Sequence, residues 1–349
     1  MKLPALLTRS AWAAAALLVG VGTVTPAQAQ MKQNWMYASS VPAHAQKPAF
    51  PIKDKAIRVV LAFPPGSMAD AQARAVGAKM AEMLGVPVVI ENRPERDALP
   101  AAQEVLSAMP DGHTLFYSAS STMALAPHVS SAATFEPVNE FAQISLAAKS
   151  PLMLLAGPAV PVRNVAELIA YGKANPGKLR YASSGVGSES HVLAETLAMN
   201  TGIAMVHVPD DGRTDTAGDL AGGRIHLVFE AAPVAVQTAK SGRAKLLAVA
   251  APLRSPLQPN LPTFAEQGVN DVDLTGFVGW YAPGGVRPET VAALHVAIAE
   301  SLEQASVQEV FSSGGHSAES STPQALTAMV KAAYDAWGNL VRRIGMTKQ

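Results

Sequence analysis

The chain has 349 residues, 49% of them hydrophobic but only 5% aromatic, with 27 basic and 27 acidic side chains. That balance offers no handle for nucleic acid or an anionic membrane surface, and with no cysteine neither a disulfide nor a thiolate metal site is available. The length exceeds what a single core usually serves, so two lobes are expected, with cores built largely from Ala, Val and Leu.

Residues 1–29 read as an export signal. Lys2 and Arg9 form the positive start, Ala11 to Val24 the apolar stretch, and Ala27-Gln28-Ala29 the small-x-small cleavage site. The apolar stretch is too short to span a bilayer, so a secreted, periplasmic protein cleaved near Ala29 is expected. Cleavage removes two basic residues and no acidic ones, which leaves a net charge of −2. Residues 30–52 mix Pro, Gln, Ser and Lys without periodicity and read as a flexible leader.

Beyond the leader, strand and helix signals alternate. Ile57 to Ala62 is a β-branched strand, Ala69 to Leu84 a helix ended by Gly85, and Val86 to Ile90 a second strand. A helix over Ala98–Met109 and a strand over Thr114–Tyr117 follow. Apolar stretches at Ile144–Ala148 and Leu152–Ala156 lead into a second run of the same kind. It predicts helices at 165–174, 188–200, 214–221 and 233–240, and strands at 179–182, 205–208, 225–229 and 244–250. A Pro-rich connection spans Leu253–Asn270, Leu274–Tyr281 crosses back, and helices at 288–304, 307–313 and 323–343 complete the chain. The predicted class is α/β with parallel sheets, in two lobes: 53–147 with 275–349, and 148–274, joined by two hinge crossings.

Two strand-to-helix junctions carry the chemistry. The first is Phe63-Pro64-Pro65-Gly66-Ser67-Met68-Ala69-Asp70, and the second runs from Ser183, Ser184, Gly185 and Gly187 through Ser188 to His191. Small hydroxyl residues and glycines there let backbone N–H groups converge at a helix N-terminus, whose positive dipole end favours an anion. The competing reading is that Gly and Ser merely turn the chain tightly. A hydrolase assembled from Ser188 or Ser190 with His191 is a remote alternative, because no Gly-x-Ser-x-Gly elbow is present. The eight scattered histidines give no metal spacing, and Gly185-Val186-Gly187 lacks the rest of a dinucleotide fingerprint. Neither a cofactor nor a metal is expected.

Several segments together resemble the Bug-type receptors, the periplasmic substrate-binding proteins of tripartite tricarboxylate transporters. They include Phe63-Pro64-Pro65-Gly66 with Asp70, Glu91-Asn92-Arg93-Pro94, Pro110-Asp111-Gly112-His113-Thr114-Leu115, and Asn175-Pro176-Gly177-Lys178-Leu179. Tyr181 to Gly187 with His191, Val206-His207-Val208-Pro209, Leu261 to Gly268 and Trp337-Gly338 also match. The resemblance implies a two-lobed Venus flytrap of the type II periplasmic-binding-protein class, closing over a small, usually carboxylated solute, and the chain's departures from the family pattern widen this to a zwitterionic one. It implies membrane transporter subunits as partners, or, in the alternative, a membrane sensor kinase. By matching position the ligand would meet Pro65, Gly66, Ser67, Met68 and Asp70, then Ser118, Ser120 and Ser121. From the second lobe it would meet Ser183, Ser184, Gly185, Gly187, Ser188, His191, Asp210 and Glu230. Asp70 has the alternative of bracing its own loop, and His191 that of packing beneath its junction.

The chain departs from the family pattern at cleft-facing places. Met68 stands where a small residue is usual, Glu95 to Pro100 replaces a glycine-rich turn, Asp210-Asp211 follows Pro209, and Ala231-Ala232 follows Glu230. A carboxylate about 4 Å from a ligand carboxylate costs roughly 4 kcal/mol at an effective dielectric near 20, on the order of a thousandfold in affinity. The departures therefore argue against a citrate-like trianion, unless Arg213 offsets the pair or both Asp side chains face solvent.

Overall fold

The computed structural model describes residues 50–94, 98–209 and 215–349. Two five-stranded sheets organise them. The first has the order β2-β1-β3-β10-β4, from β1 (Ile57–Leu61), β2 (Val88–Asn92), β3 (Thr114–Ala119), β4 (Phe141–Ser150) and β10 (Gly276–Pro283). The second has the order β7-β6-β8-β5-β9, from β5 (Leu152–Ala156), β6 (Leu179–Ser183), β7 (Met205–Pro209), β8 (Leu227–Ala231) and β9 (Lys245–Ala250). In each, four strands run one way and one antiparallel strand is inserted, β10 between β3 and β4 and β5 between β8 and β9. The chain leaves the first sheet at Pro151, between β4 and β5, and returns to it through β10. This is the two-lobed binding-protein fold with two hinge crossings.

Both faces of each sheet are covered, as parallel strands require. In the first lobe α1 (Met68–Leu84), α8 (Pro288–Glu303) and α9 (Ala305–Ser313) cover one face, where Val59, Leu61, Val76, Met80, Trp280 and Phe311 are buried together. On the other face Val60, Phe116, Phe141 and Tyr281 pack against α2 (Leu99–Leu106) and the start of α10 (Pro323–Arg343). The second sheet is flanked by α4 (Val165–Ala174), α5 (Glu189–Thr201), α6 (Thr216–Ala221) and α7 (Ala232–Lys240). Helix α10 serves both lobes: Leu326 and Val330 lie in a first-sheet cluster, whereas Trp337, Leu340 and Val341 join the core beneath β6 and α5. No helix among the described residues is long and apolar enough to cross a membrane.

Differences from the sequence reading have local causes. Strand β2 begins at Val88 and not at Val86, because Pro87 has no N–H to donate and serves the ladder only through its carbonyl, which accepts from Ile57 N–H at 2.8 Å. Helix α2 stops at Leu106, where Ser107 Oγ turns back onto Gln103 O. The stretch after the expected strand, Ser118–Thr122, is regular structure. Ser118 and Ala119 finish β3, and a π-helical turn covers Ser121–Leu125, leading into α3 (Ala126–Val129). Ala126 N–H reaches back to Ser121 O, and Pro127 has no N–H with which to restore α-helical pairing. The end of the expected leader is packed against the first lobe: Phe50 lies 5.3 Å from the His113 ring, and Ile52 N–H donates to His113 Nε2 at 3.1 Å. The expected signal segment and leader up to residue 49 lie outside the described residues.

Candidate functional site

Open α/β sheets bind ligands outside the carboxyl ends of their parallel strands. Here the ends of β1, β3, β6 and β8 face one cleft of about 980 Å³. The first lobe contributes Ala62 and Phe63 after β1, Ala119, Ser121 and Thr122 at and after the end of β3, and Leu125, Ala126, Val129 and Ser130 from the end of the π turn onward. The second contributes Ser184 to Ser190 around the start of α5, then Phe229, Glu230 and Ala231 leading into α7. Helix starts therefore converge from both lobes, and the first amides of a helix have no partner inside it. Among the described lining residues there is no Lys, Arg or His, and the ionisable side chains are Glu189 and Glu230.

The lobes touch around the cleft. Ser120 Oγ donates to Glu189 Oε1 at 2.8 Å and itself accepts from Phe277 N–H at 3.1 Å, which ties α5 to β3 and to the returning strand β10. Gly187 has φ +79°, and a Cβ there would lie 3.1 Å from Val129 Cβ in the facing lobe. Gly315 lies close to Pro233 at the start of α7, where a Cβ would come within 2.8 Å.

At the first junction Ser67 is the N-cap of α1 and accepts from Asp70 N–H. Asp70 is buried, yet its carboxylate accepts from Gly66 N–H at 2.9 Å, Asn92 Nδ2 at 2.9 Å and Arg74 Nε at 2.9 Å. Burial alone pushes this carboxyl up, but Arg74, the Gly66 amide and Asn92 outweigh it and hold it below the usual carboxylate range. Pro65 and Gly66 are exposed at the rim, and Met68 packs on Gly314. Pro65, Gly66, Ser67, Met68 and Asp70 all lie outside the cleft lining, which the chain reaches at Ala62 and Phe63.

The second junction is braced by neutral groups. Ser184 N–H donates to Ser190 Oγ at 3.1 Å, Gly185 N–H to Ser183 Oγ at 3.2 Å, Gly187 N–H to His191 Nδ1 at 3.0 Å and Ser188 N–H to Gly185 O at 3.2 Å. Ser188, the N-cap of α5, accepts from His191 N–H. Beneath them the His191 ring stacks on His207 at 4.0 Å, and His207 on Tyr181 at 4.9 Å, because β6 and β7 pair Tyr181 with His207 in register. His207 Nε2 meets Ser183 Oγ at 2.6 Å. Burial and neighbouring His207 push His191 down to about 4, and burial lowers His207 as well, so both rings are neutral near pH 7.

The structure thus brings Ser121, Ser184, Gly185, Gly187, Ser188 and Glu230 together at the cleft. Ser183 and His191 lie beneath it, and Ser118 is buried in β3. Ser120 lies behind the lining and faces Glu189. Asp210 and Asp211, with Arg213 and residues 95–97, lie outside the described residues. The hydrolase alternative finds no geometry: the His191 ring takes the Gly187 amide, while the Ser188 and Ser190 hydroxyls serve Gly185 O and Ser184 N–H. Glu189 and Phe229 line the cleft without having been singled out. Glu189 reads in sequence as an ordinary first-turn acid, and its place directly after the Gly-rich junction was the available signal.

Known proteins agree with this architecture. Residues 72–346 match the model of the tripartite tricarboxylate transporter family receptor. Protein BugT of Bordetella pertussis is 28% identical over 290 residues, 83% of this chain and 89% of its own. Rpa4515 of R. palustris, solved with adipate, superposes with a TM-score of 0.73 at 28% identity, covering 86% of this chain and all of that one. MatC from Rhodopseudomonas palustris, solved with bound malate, gives a TM-score of 0.70 at 28% identity, over 84% of this chain and all of that one. With the family model spanning most of the sequence and every strand but β1, the chain belongs to the tripartite tricarboxylate transporter family of receptors.

Proposed function

We propose that the cleft captures a small organic acid carrying at least one carboxylate, and that the chain presents it to membrane transporter subunits from the periplasm, after removal of the segment ending near Ala29. The observation that carries this reading is the convergence of helix starts from both lobes on one cleft. First-turn amides at Ser121 and Thr122 and at Glu189 and Ser190 offer partial positive charge to an anion without a counter-ion. Hydroxyls of Ser121, Thr122 and Ser184 add donors, and Phe63, Leu125, Leu152 and Phe229 supply apolar wall for a carbon chain. Adipate in Rpa4515 and malate in MatC are acids of this class.

The ligand positions assigned to Ser121, Ser184, Gly185, Gly187, Ser188 and Glu230 are part of the proposal. Pro65 to Asp70, Ser120, Ser183 and His191 are better read as the frame that holds them. A thermal-shift panel of mono-, di- and tricarboxylates with amino acids and sugars tests the function. At least one carboxylate is expected to raise Tm in a concentration-dependent way. A sugar that does so while every acid fails overturns it.

A further inference from the structure

We propose that Glu189 is the specificity-determining residue of the cleft, meeting one end of the bound acid as a hydrogen-bond-donating carboxylic acid, so that capture of the anion brings one proton with it. The inference rests on the carboxylate reading above.

Three observations carry it. First, Glu189 lines the cleft from the first turn of α5, where an incoming carboxylate would also be drawn. Second, its position is fixed: Oε1 accepts from Ser120 Oγ at 2.8 Å, and Oε2 sits beside Gly276, where a Cβ would lie 3.3 Å away. Third, the described lining holds no Lys, Arg or His to neutralise two carboxylates at that end.

Charged and titratable groups around it do not fill that need. On its own helix, His191 faces Gly187 and is neutral, and Glu195 accepts from Tyr181 OH. On β4, Lys149 is paired with Glu319 at 2.7 Å. On β8, Glu230 is a second acid, and on α3 the His128 ring bonds Tyr334 O. Gln349, also in the lining, has its backbone oxygen held by Ser131. Burial already favours the protonated form of Glu189, against the lowering effect of the Ser120 bond.

Two carboxylates sharing one site cannot both stay ionised cheaply. A proton taken from solvent converts Glu189 to the acid, and its O–H then donates to the ligand carboxylate in a short charge-assisted bond. No other bond is made or broken.

The test is titration calorimetry of the full chain with adipate and with malate, in buffers of differing ionisation enthalpy, between about pH 6.5 and 8.5, above the range where free carboxyls titrate. The native chain should take up close to one proton per acid, with affinity falling by about tenfold per pH unit in the upper part of the range. Glu189→Gln keeps the size, the acceptor for Ser120 and a donor, so it should bind without proton uptake and with flat pH dependence. Flat, uptake-free binding by the native chain overturns the proposal, as does equal uptake in Glu189→Gln. Affinity lowered by the same factor at every pH would indicate a merely structural role and also overturns it. If neither protein binds either acid while the panel above finds no carboxylate, the functional reading itself falls, and this inference with it.

Discussion

The two strand-to-helix junctions look alike in sequence but are braced by opposite chemistry. At the first, Gly66 N–H is taken by the ionised carboxylate of Asp70, which Arg74 and Asn92 also engage. At the second, Ser184, Gly185 and Gly187 amides are taken by two hydroxyls and an uncharged imidazole. A carboxylate brace cancels the positive end of its helix, whereas a neutral brace leaves it for a ligand. The first junction touches the cleft lining only at Phe63, whereas the second lines it from Ser184 to Ser190. Glycine and serine at a turn therefore do not by themselves mark an anion site; the charge of whatever caps their amides matters as much.

This contrast can be broken at either side. The largest effect is expected from Asp70→Ala, which removes the carboxylate that accepts from Gly66 N–H, Asn92 and Arg74. It should cost several kcal/mol, at about 1.5–3 kcal/mol for each hydrogen bond to a charged group, read as a lower urea midpoint. Ligand affinity should change far less, because the residue lies off the cleft.

His191→Leu keeps bulk but leaves Gly187 N–H without its acceptor, at about 1–3 kcal/mol. It should lower stability and ligand affinity together, and Kd measured by calorimetry separates it from Asp70→Ala.

The same histidine gives a pH signature. Its folded pKa of about 4 lies below the ordinary imidazole value of 6.5, so the native state binds fewer protons than the unfolded chain. The stability it contributes is complete above about pH 6.5 and is lost as pH falls toward 4, about 3 kcal/mol in all. His207 acts in the same direction. Urea midpoints measured across this window should fall less steeply in His191→Gln than in the native chain; an unchanged slope would remove His191 from the account.

The smallest effect is expected from Ser67→Ala, loss of a cap worth about 1 kcal/mol, with ligand binding intact.

Much of the architecture was legible because periodicity and caps coincide. Helix α4 runs over the residues its pattern marks, Val165–Ala174, with Asn164 capping its first turn. Strand β2 was displaced because a β-branched run says nothing about which N–H groups are missing, and Pro87 decides that. The π turn at Ser121–Leu125 was illegible for a related reason: Ser, Thr, Met and Ala fit many backbones, and Pro127 acts only through the pairing it prevents. At the site, the residue types were readable but their direction was not. Ser183 and Ser184 are neighbours, yet one bonds His207 below and the other lines the cleft. The His191–His207 stack depends on which strand lies beside β6, a fact of topology that local pattern does not carry.

The central claim is that an anion is held between the lobes by backbone dipoles and hydroxyls. A crystal structure of the complex with the carboxylate that most raises Tm tests it most directly. The account predicts carboxylate oxygens about 3 Å from first-turn amides after β3 and at the start of α5, with Ser or Thr hydroxyls completing the shell. An acid seated outside this cleft, or held there by side-chain cations with no backbone amide in reach, would contradict it.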